Sequence, residues 1–521
     1  MNPITDTIQN NPPKHRLSTI AAIIFLFGNV VGVGVFFKTG SIYGANDGSA
    51  YGTMISWVIG FIIALSTCVC LGEVASVKIN KHNSGLAGWI ETLCGKRMGR
   101  FATVFLALGY FAFIAMALSF FAADGFCKFM TAFYSDEAEG EKVWLGNFWV
   151  VFIVSLVFLS IFWIFNTFKP HMATQIAKYG SMFKFIPILT IVITGLIYGI
   201  VKGNGGLFAN PDAKVGSGKL GLGCLAAVPA VLFAFNGFSG AGAVSSKLDN
   251  PRKQLPKILS FGMILVGIVY VVVALAQLLS GSQNAFELFS VIFSKNIVAA
   301  KIFTAMISFF IFACALISTD CLTLAAVSST QAAVEDNKFA FSNELLYKTK
   351  NHESMAGGII VLATWLLFMI IIYIPSAYFN TDAIIDGATN TCTEISFVMY
   401  GIAIIGSIIN RKTKKHEVTK FKYQVVLGYI AVICCIGIAA YSTIYSFIIL
   451  PIINPHGSTS WGLFMPAYDE EKHPDLFKCD WAIGSIFFWV FTIVSLGLPF
   501  LNDLLIKLTN KNYSEKLLWE K

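Results

Sequence analysis

Charged residues are scarce in this chain. Asp, Glu, Lys and Arg make up 13% of 521 residues, about half the roughly 25% of soluble domains, which excludes a soluble globular protein and needs no nucleic-acid partner. Histidine is equally thin: His15, His82, His171, His352, His416, His456 and His473 all fall between apolar runs, which argues against a membrane metalloenzyme or a histidine proton relay. Cysteine builds no framework. Cys68, Cys70, Cys224, Cys314, Cys321, Cys434 and Cys435 lie within apolar runs and read as small packing residues. No zinc spacing is visible, and Cys392 with Cys479 is the only pairing considered, near the outer face. No cofactor motif is present. The polar first 19 residues, with Pro12 and Pro13, lack the charged, apolar and small-residue order of a cleaved signal peptide.

Apolar residues are what the chain has in quantity: 56% hydrophobic, 47 Phe, mean hydropathy +0.71. Runs of the about 17–25 residues needed to span a bilayer fall near 20–43, 50–72, 101–131, 147–166, 180–201, 223–245, 257–280, 298–329, 355–375, 391–410, 424–450 and 481–503. This predicts an all-α polytopic membrane protein with twelve transmembrane helices. An even number puts both termini on one side, and most of the 37 Lys and Arg lie on that side, so N- and C-termini are expected in the cytoplasm of a cell-membrane protein. The basic clusters Lys247, Arg252, Lys253, Lys257 and Arg411, Lys412, Lys414, Lys415 are read as fixing this topology rather than as nucleic-acid or lipid sites. The inner stretch 73–100 has helical spacing of apolar and charged residues and is expected at the interface.

Two spans are interrupted by glycines: Gly28-Asn29-Val30-Val31-Gly32-Val33-Gly34-Val35-Phe36 and Phe233-Ala234-Phe235-Asn236-Gly237-Phe238-Ser239-Gly240-Ala241-Gly242. Lipid offers no hydrogen-bond partners, so backbone freed there must find protein, water or a ligand, and a pair of such breaks points to a transporter's binding site. If the first five spans form one unit (20–201) and the next five a second (223–410), the breaks fall in the first helix of each. Five is odd, so the units insert with opposite orientation as inverted repeats. Residues 424–503 hold spans outside the repeat, and 1–19 and 504–521 are tails.

In the first span, the amides of Gly32, Val33, Gly34 and Val35 would open a half-helix and attract a carboxylate. The bland alternative is close packing of small residues, for which Gly28 and Gly32 have the spacing. In the sixth, the carbonyls of Phe233, Ala234 and Asn236 would end a half-helix and attract an ammonium. An amino acid carries both charges. Phe235 and Phe238 are candidate gates, and Tyr110, midway along the third span, a candidate substrate contact. Lys184 is read as the only base inside a span. It would alternate between charged and neutral and couple transport to protons, stand in place of a sodium ion, or snorkel to the surface. Asp320 would pair with it or relay its proton, with Ser318 and Thr319 supplying hydroxyls; Asp124 and Glu394 are expected to be solvated near outer helix ends.

These residues resemble the amino acid-polyamine-organocation (APC) superfamily of permeases. Gly32-Val33-Gly34-Val35-Phe36 is similar to that family's Gly-x-Gly-Ile-Phe, and Phe233-Ala234-Phe235-Asn236-Gly237-Phe238 to its Phe-Ala-Tyr-x-Gly-Phe. Asp249-Asn250-Pro251-Arg252-Lys253-Gln254-Leu255-Pro256 resembles its Lys-Asn-Pro-x-x-x-Ile-Pro, and 328–336 the stretch after span 8. The likeness covers roughly residues 18 to 410. It implies a five-plus-five inverted-repeat (LeuT-like) fold with discontinuous helices 1 and 6, amino acid transport by alternating access, and a Lys184 matching the span-5 lysine that in some relatives replaces a sodium site. The chain departs from the pattern at Ser246 and Lys247 and lacks the arginine after span 8, near Thr330 and Gln331; both departures touch the inner gate. The expected activity is secondary transport of amino acids, by proton symport or exchange, with the lipid bilayer as surroundings. Rivals are a polyamine or organic amine permease and a membrane sensor without flux, the latter lacking any soluble output domain. No acid, base and nucleophile set converges, so an enzyme is not expected, and oligomeric state is not legible.

Overall fold

A computed structural model describes residues 19–46, 48–77, 85–131, 147–209, 222–238, 251–350, 352–380, 382–420, 423–445 and 480–509, and these are all-helical. The first expected span is two helices, α1 (Thr19–Val30) and α2 (Gly34–Ala45). Then come α3 (Ala50–Val74), whose first turn is capped by the Ser49 hydroxyl accepting from the Gly52 amide, the shorter α4 (Leu86–Cys94) and α5 (Lys96–Thr131). The first half closes with α6 (Phe148–Phe168), α7 (Pro170–Phe183) and α8 (Phe185–Lys202).

The second half opens with a short turn, Leu222–Ala226, followed by α9 (Val228–Phe235). Next are α10 (Pro251–Ser280), α11 (Ile297–Glu335), α12 (Glu353–Tyr378) and α13 (Ala383–Thr413). The helices outside the repeat are α14 (Gln424–Ile444) and α15 (Asp480–Thr509). Among the described residues, ten helices are long and apolar enough to cross a membrane: α3, α5, α6, α8 and α10 to α15. The two remaining expected spans are the broken ones. Of the sixth, the part beyond Phe238 lies outside the described residues, as do Ser239 to Gly242, Ser246, Lys247, Asp249, Asn250 and Cys479.

Boundaries move in two places that matter. The tenth span starts at Ala383, not 391, because Asp386, Thr389 and Asn390 lower its hydropathy yet are buried and bonded inside the bundle. In the stretch 73–100, of which 78–84 lie outside the described residues, Leu86, Trp89 and Ile90 are buried, α4 packs on α13 and α5, and the next long apolar helix begins at Lys96.

The core gathers α1, α2, α3, α9, α10 and α13. Helices approach closely where glycine leaves room: a Cβ on Gly60 of α3 would stand 2.4 Å from Val231 of α9. In lipid such packing, rather than expulsion of water, draws helices together. Lipid-facing residues stay apolar, as on α6 with Ile153, Val157, Ile161 and Ile164.

Candidate functional site

α1 stops at Val30 because the Val30 carbonyl accepts a hydrogen bond from the Tyr270 hydroxyl of α10 at 3.0 Å instead of serving the next helical turn. α2 restarts at Gly34 because no side chain fits there: a Cβ would sit 2.5 Å from Cα of Ala234. The backbones of the two broken helices therefore meet at Gly34 and Ala234. Among the described residues, the amides of Gly32, Val33, Gly34 and Val35 reach no backbone acceptor, leaving an anion-attracting helix start. The small-residue reading of Gly32 is met only loosely, since its nearest neighbour would be Ser318 Oγ at 3.4 Å.

Opposite, α9 ends as Asn236 turns extended (φ −69°, ψ 152°) and Gly237 takes φ +117°, a conformation that excludes an ordinary side chain. The Phe233 carbonyl already accepts the Asn236 amide at 3.2 Å, so it is partly used. Among the described residues, the Ala234 carbonyl has no such bond. The Asn236 side-chain oxygen accepts from Tyr400 at 3.0 Å and from the Gly237 amide, while its Nδ2 is buried without a partner among the described residues.

The aromatic candidates separate. Phe235 is enclosed by Trp57, Phe61 and Tyr270, with ring centroids 5.1–6.2 Å away. Phe238 lies against Tyr400 and Phe397, the Tyr400 that holds Asn236. Tyr110 sits buried in a π-helical stretch, Phe105–Ala112, of α5; one turn of widened helix there is a common device at functional sites.

Lys184 does not snorkel. It is 2% exposed, stands at the joint of α7 and α8, and donates to the Gly28 carbonyl of α1 at 3.0 Å. Asp320 is not its partner. The Asp320 carboxylate accepts from Asn166 of α6 at 2.9 Å, because a residue following Thr319 on α11 turns toward α6. Ser318 and Thr319 bond back to Cys314 and Ala315 of their own helix.

Three groups escaped the sequence reading. Lys38 of α2 has no solvent exposure, so Lys184 is not the only base inside a span. Its ammonium bonds Asp386 at 2.5 Å, Asn390 at 2.7 Å and Thr389 at 2.9 Å on α13 and lies 4.6 Å from the Phe233 ring centre. At the opposite end of α13, Arg411 bonds the fully buried Glu73 of α3, Nε to Oε1 at 2.7 Å, and Ser407 joins it at 3.2 Å. Arg411 is therefore more than a topology signal. Glu394 is buried, not solvated, and its carboxylate contacts Ser442 of α14 at 2.6 Å. Asp124 pairs with Lys128 at 2.7 Å. Cys392 is a free buried thiol bonded to the Gly109 carbonyl.

The model of the family described as Amino acid permease matches residues 17–469. The chain belongs to the amino acid permease family. A 505-residue alignment to an uncharacterized Mycoplasma pneumoniae protein shows 22% identity over 85% of each chain. The serine/threonine exchanger SteT of Bacillus subtilis is 25% identical over 279 residues, 53% of this chain and 58% of that one. A crystal structure of MhsT in complex with L-phenylalanine has the same fold, with TM-score 0.52, 14% identity, and coverage of 82% of this chain and all of MhsT. This permease thus has the LeuT-like fold with helices broken at the first and sixth positions.

Proposed function

We propose that this permease moves amino acids across the cell membrane by alternating access, with both termini in the cytoplasm. The observation that carries the reading is the meeting of Gly34 and Ala234: it puts the unpaired amides of 32–35 beside the frayed end of α9. One molecule with a carboxylate and an ammonium a few ångströms apart satisfies both ends without a charged side chain. Gly32, Val33, Gly34 and Val35 hold the carboxylate; Ala234 and Asn236, with Phe233 contributing its remaining lone pair, hold the amine; Phe238 and Tyr110 close the sides.

Lys184 supplies the positive charge that a bound cation would supply beneath α1, tying the Gly28 carbonyl to the joint of α7 and α8. The Lys38–Asp386 and Glu73–Arg411 pairs tether the two ends of α13 to α2 and α3, and each must release in turn for access to alternate. Transport is coupled to protons or to a counter-moving amino acid.

The test is uptake of labelled amino acids into proteoliposomes, with and without an inward proton gradient, in the wild type and Lys184→Ala. Uptake lost in Lys184→Ala supports the coupling role of this lysine. A wild type that takes up no amino acid under any gradient or preload overturns the reading.

A further inference from the structure

Glu394 lies about three turns into α13, roughly 16 Å from the start of that helix at 1.5 Å per residue, close to the middle of a hydrocarbon layer about 30 Å thick. A carboxyl at that depth is costly and requires a reason. The one hydrogen-bond partner of its carboxyl among the described residues is the Ser442 hydroxyl of α14, 2.6 Å from Oε1. That hydroxyl also lies 3.0 Å from the Ala439 carbonyl of its own helix. One hydroxyl hydrogen faces two acceptors, and a carbonyl brings none of its own. Both contacts become full hydrogen bonds when Ser442 donates to Ala439 and Glu394, as a neutral acid, donates to Ser442.

Among the described residues, no charged side chain pairs with Glu394. Five charged residues on helices around α13 are paired away from Glu394: Lys38 of α2 with Asp386, Glu73 of α3 with Arg411, Asp124 of α5 with Lys128, Glu91 of α4 with Lys338, and Asp503 of α15 with Arg100; Lys96 and Arg97 of α5, Glu353 of α12 and Lys507 of α15 stand near the ends of their helices. α9 and α14 carry none. Titratable residues along α13 and α14 include Cys392, bonded to Gly109, Tyr400, bonded to Asn236, Cys435, in contact with Thr67, and Tyr441 and Tyr445, whose rings stack on each other.

We propose that Glu394 is a proton-binding site of this permease, protonated while α13 and α14 are packed as here, and releasing its proton when α13 moves. The ligand is a proton, taken from one aqueous side and given to the other; no bond besides O–H forms or breaks. The site is separate from the helix breaks, and α13 connects them: the helix that bears Glu394 also bears Asp386, bound to Lys38 beside Phe233. The inference rests on the transport reading only for the step at which the proton is released.

The experiment joins a spectroscopic and a transport measurement on the full-length protein in lipid. In infrared spectra at neutral pH, the wild type shows the carbonyl stretch of a protonated carboxylic acid, which Glu394→Gln removes and Ser442→Ala shifts in frequency. In proteoliposomes, Glu394→Gln loses about tenfold or more of gradient-driven accumulation, a coupling effect of the usual size, while substrate-for-substrate exchange persists. Glu394→Asp, which keeps a titratable group, restores part of the accumulation and covers the case of a poorly folding glutamine variant. A wild-type spectrum without that band, or a band unchanged in Glu394→Gln, overturns the inference. So does gradient-driven accumulation equal to wild type in Glu394→Gln. Absence of amino acid flux in the wild type, with the band present and lost in Glu394→Gln, refutes the transport reading and leaves the proton site standing.

Discussion

A single hydroxyl decides where α1 ends. Tyr270 donates to the Val30 carbonyl at 3.0 Å, both residues being buried, and removal of such a donor strands an acceptor at a cost of about 1–3 kcal/mol. Tyr270→Phe is therefore expected to lower stability by that amount in chemical unfolding and to weaken amino acid binding, while the ring packing against Trp57 and Phe235 persists. Unchanged binding would show that the break does not depend on this bond. At Gly34 the argument is steric. A methyl group would lie 2.5 Å from the backbone of Ala234, so Gly34→Ala must push the half-helices apart. It is expected to abolish uptake while the folded protein still reaches the membrane, as judged by size-exclusion chromatography. Full uptake in Gly34→Ala would remove the breaks from the site.

At the scale of helices, α13 has the most to explain. It is tied to α2 by Lys38–Asp386 and to α3 by Arg411–Glu73. Breaking one partner of a buried pair leaves an uncompensated charge and costs about 3–5 kcal/mol, whereas replacing both by apolar residues is often neutral. Lys38→Met alone is expected to lower the unfolding midpoint in detergent, and Lys38→Met with Asp386→Leu to recover most of it. Equal loss in single and double variants would mean that the pair does not act as a unit.

The same helix shows what a sequence discloses and what it conceals. The glycine breaks were legible because Gly in an apolar run is conspicuous; Lys184 lies near one end of the run 180–201, where a lysine can also reach water, so its burial was left open. Lys38 was hidden by its place near a span end, where a lysine ordinarily reaches water; its four acceptors come from residues more than 340 positions away. Asp386 and Asn390 precede the apolar run 391–410; burial of polar residues follows from partners and not from local hydropathy. The expected Lys184–Asp320 pair required knowing which face of α11 each residue takes relative to α6, and depth alone does not carry that.

For the molecule as a whole, the packing of two oppositely inserted halves brings the start of α2 and the end of α9 to one point. The family explains why such breaks recur; the contact between Gly34 and Ala234 explains what this chain does with them. If one zwitterion bridges both ends, neither charge is dispensable. The decisive measurement is competition against labelled amino acid uptake by three unlabelled compounds: the same amino acid, its decarboxylated amine and its methyl ester. The account predicts that the amino acid competes and that the amine and the ester, each lacking the carboxylate, are weaker by about tenfold or more, the usual consequence of leaving buried polar groups unpaired. An amine that competes as well as the amino acid would contradict it and make the protein an amine permease.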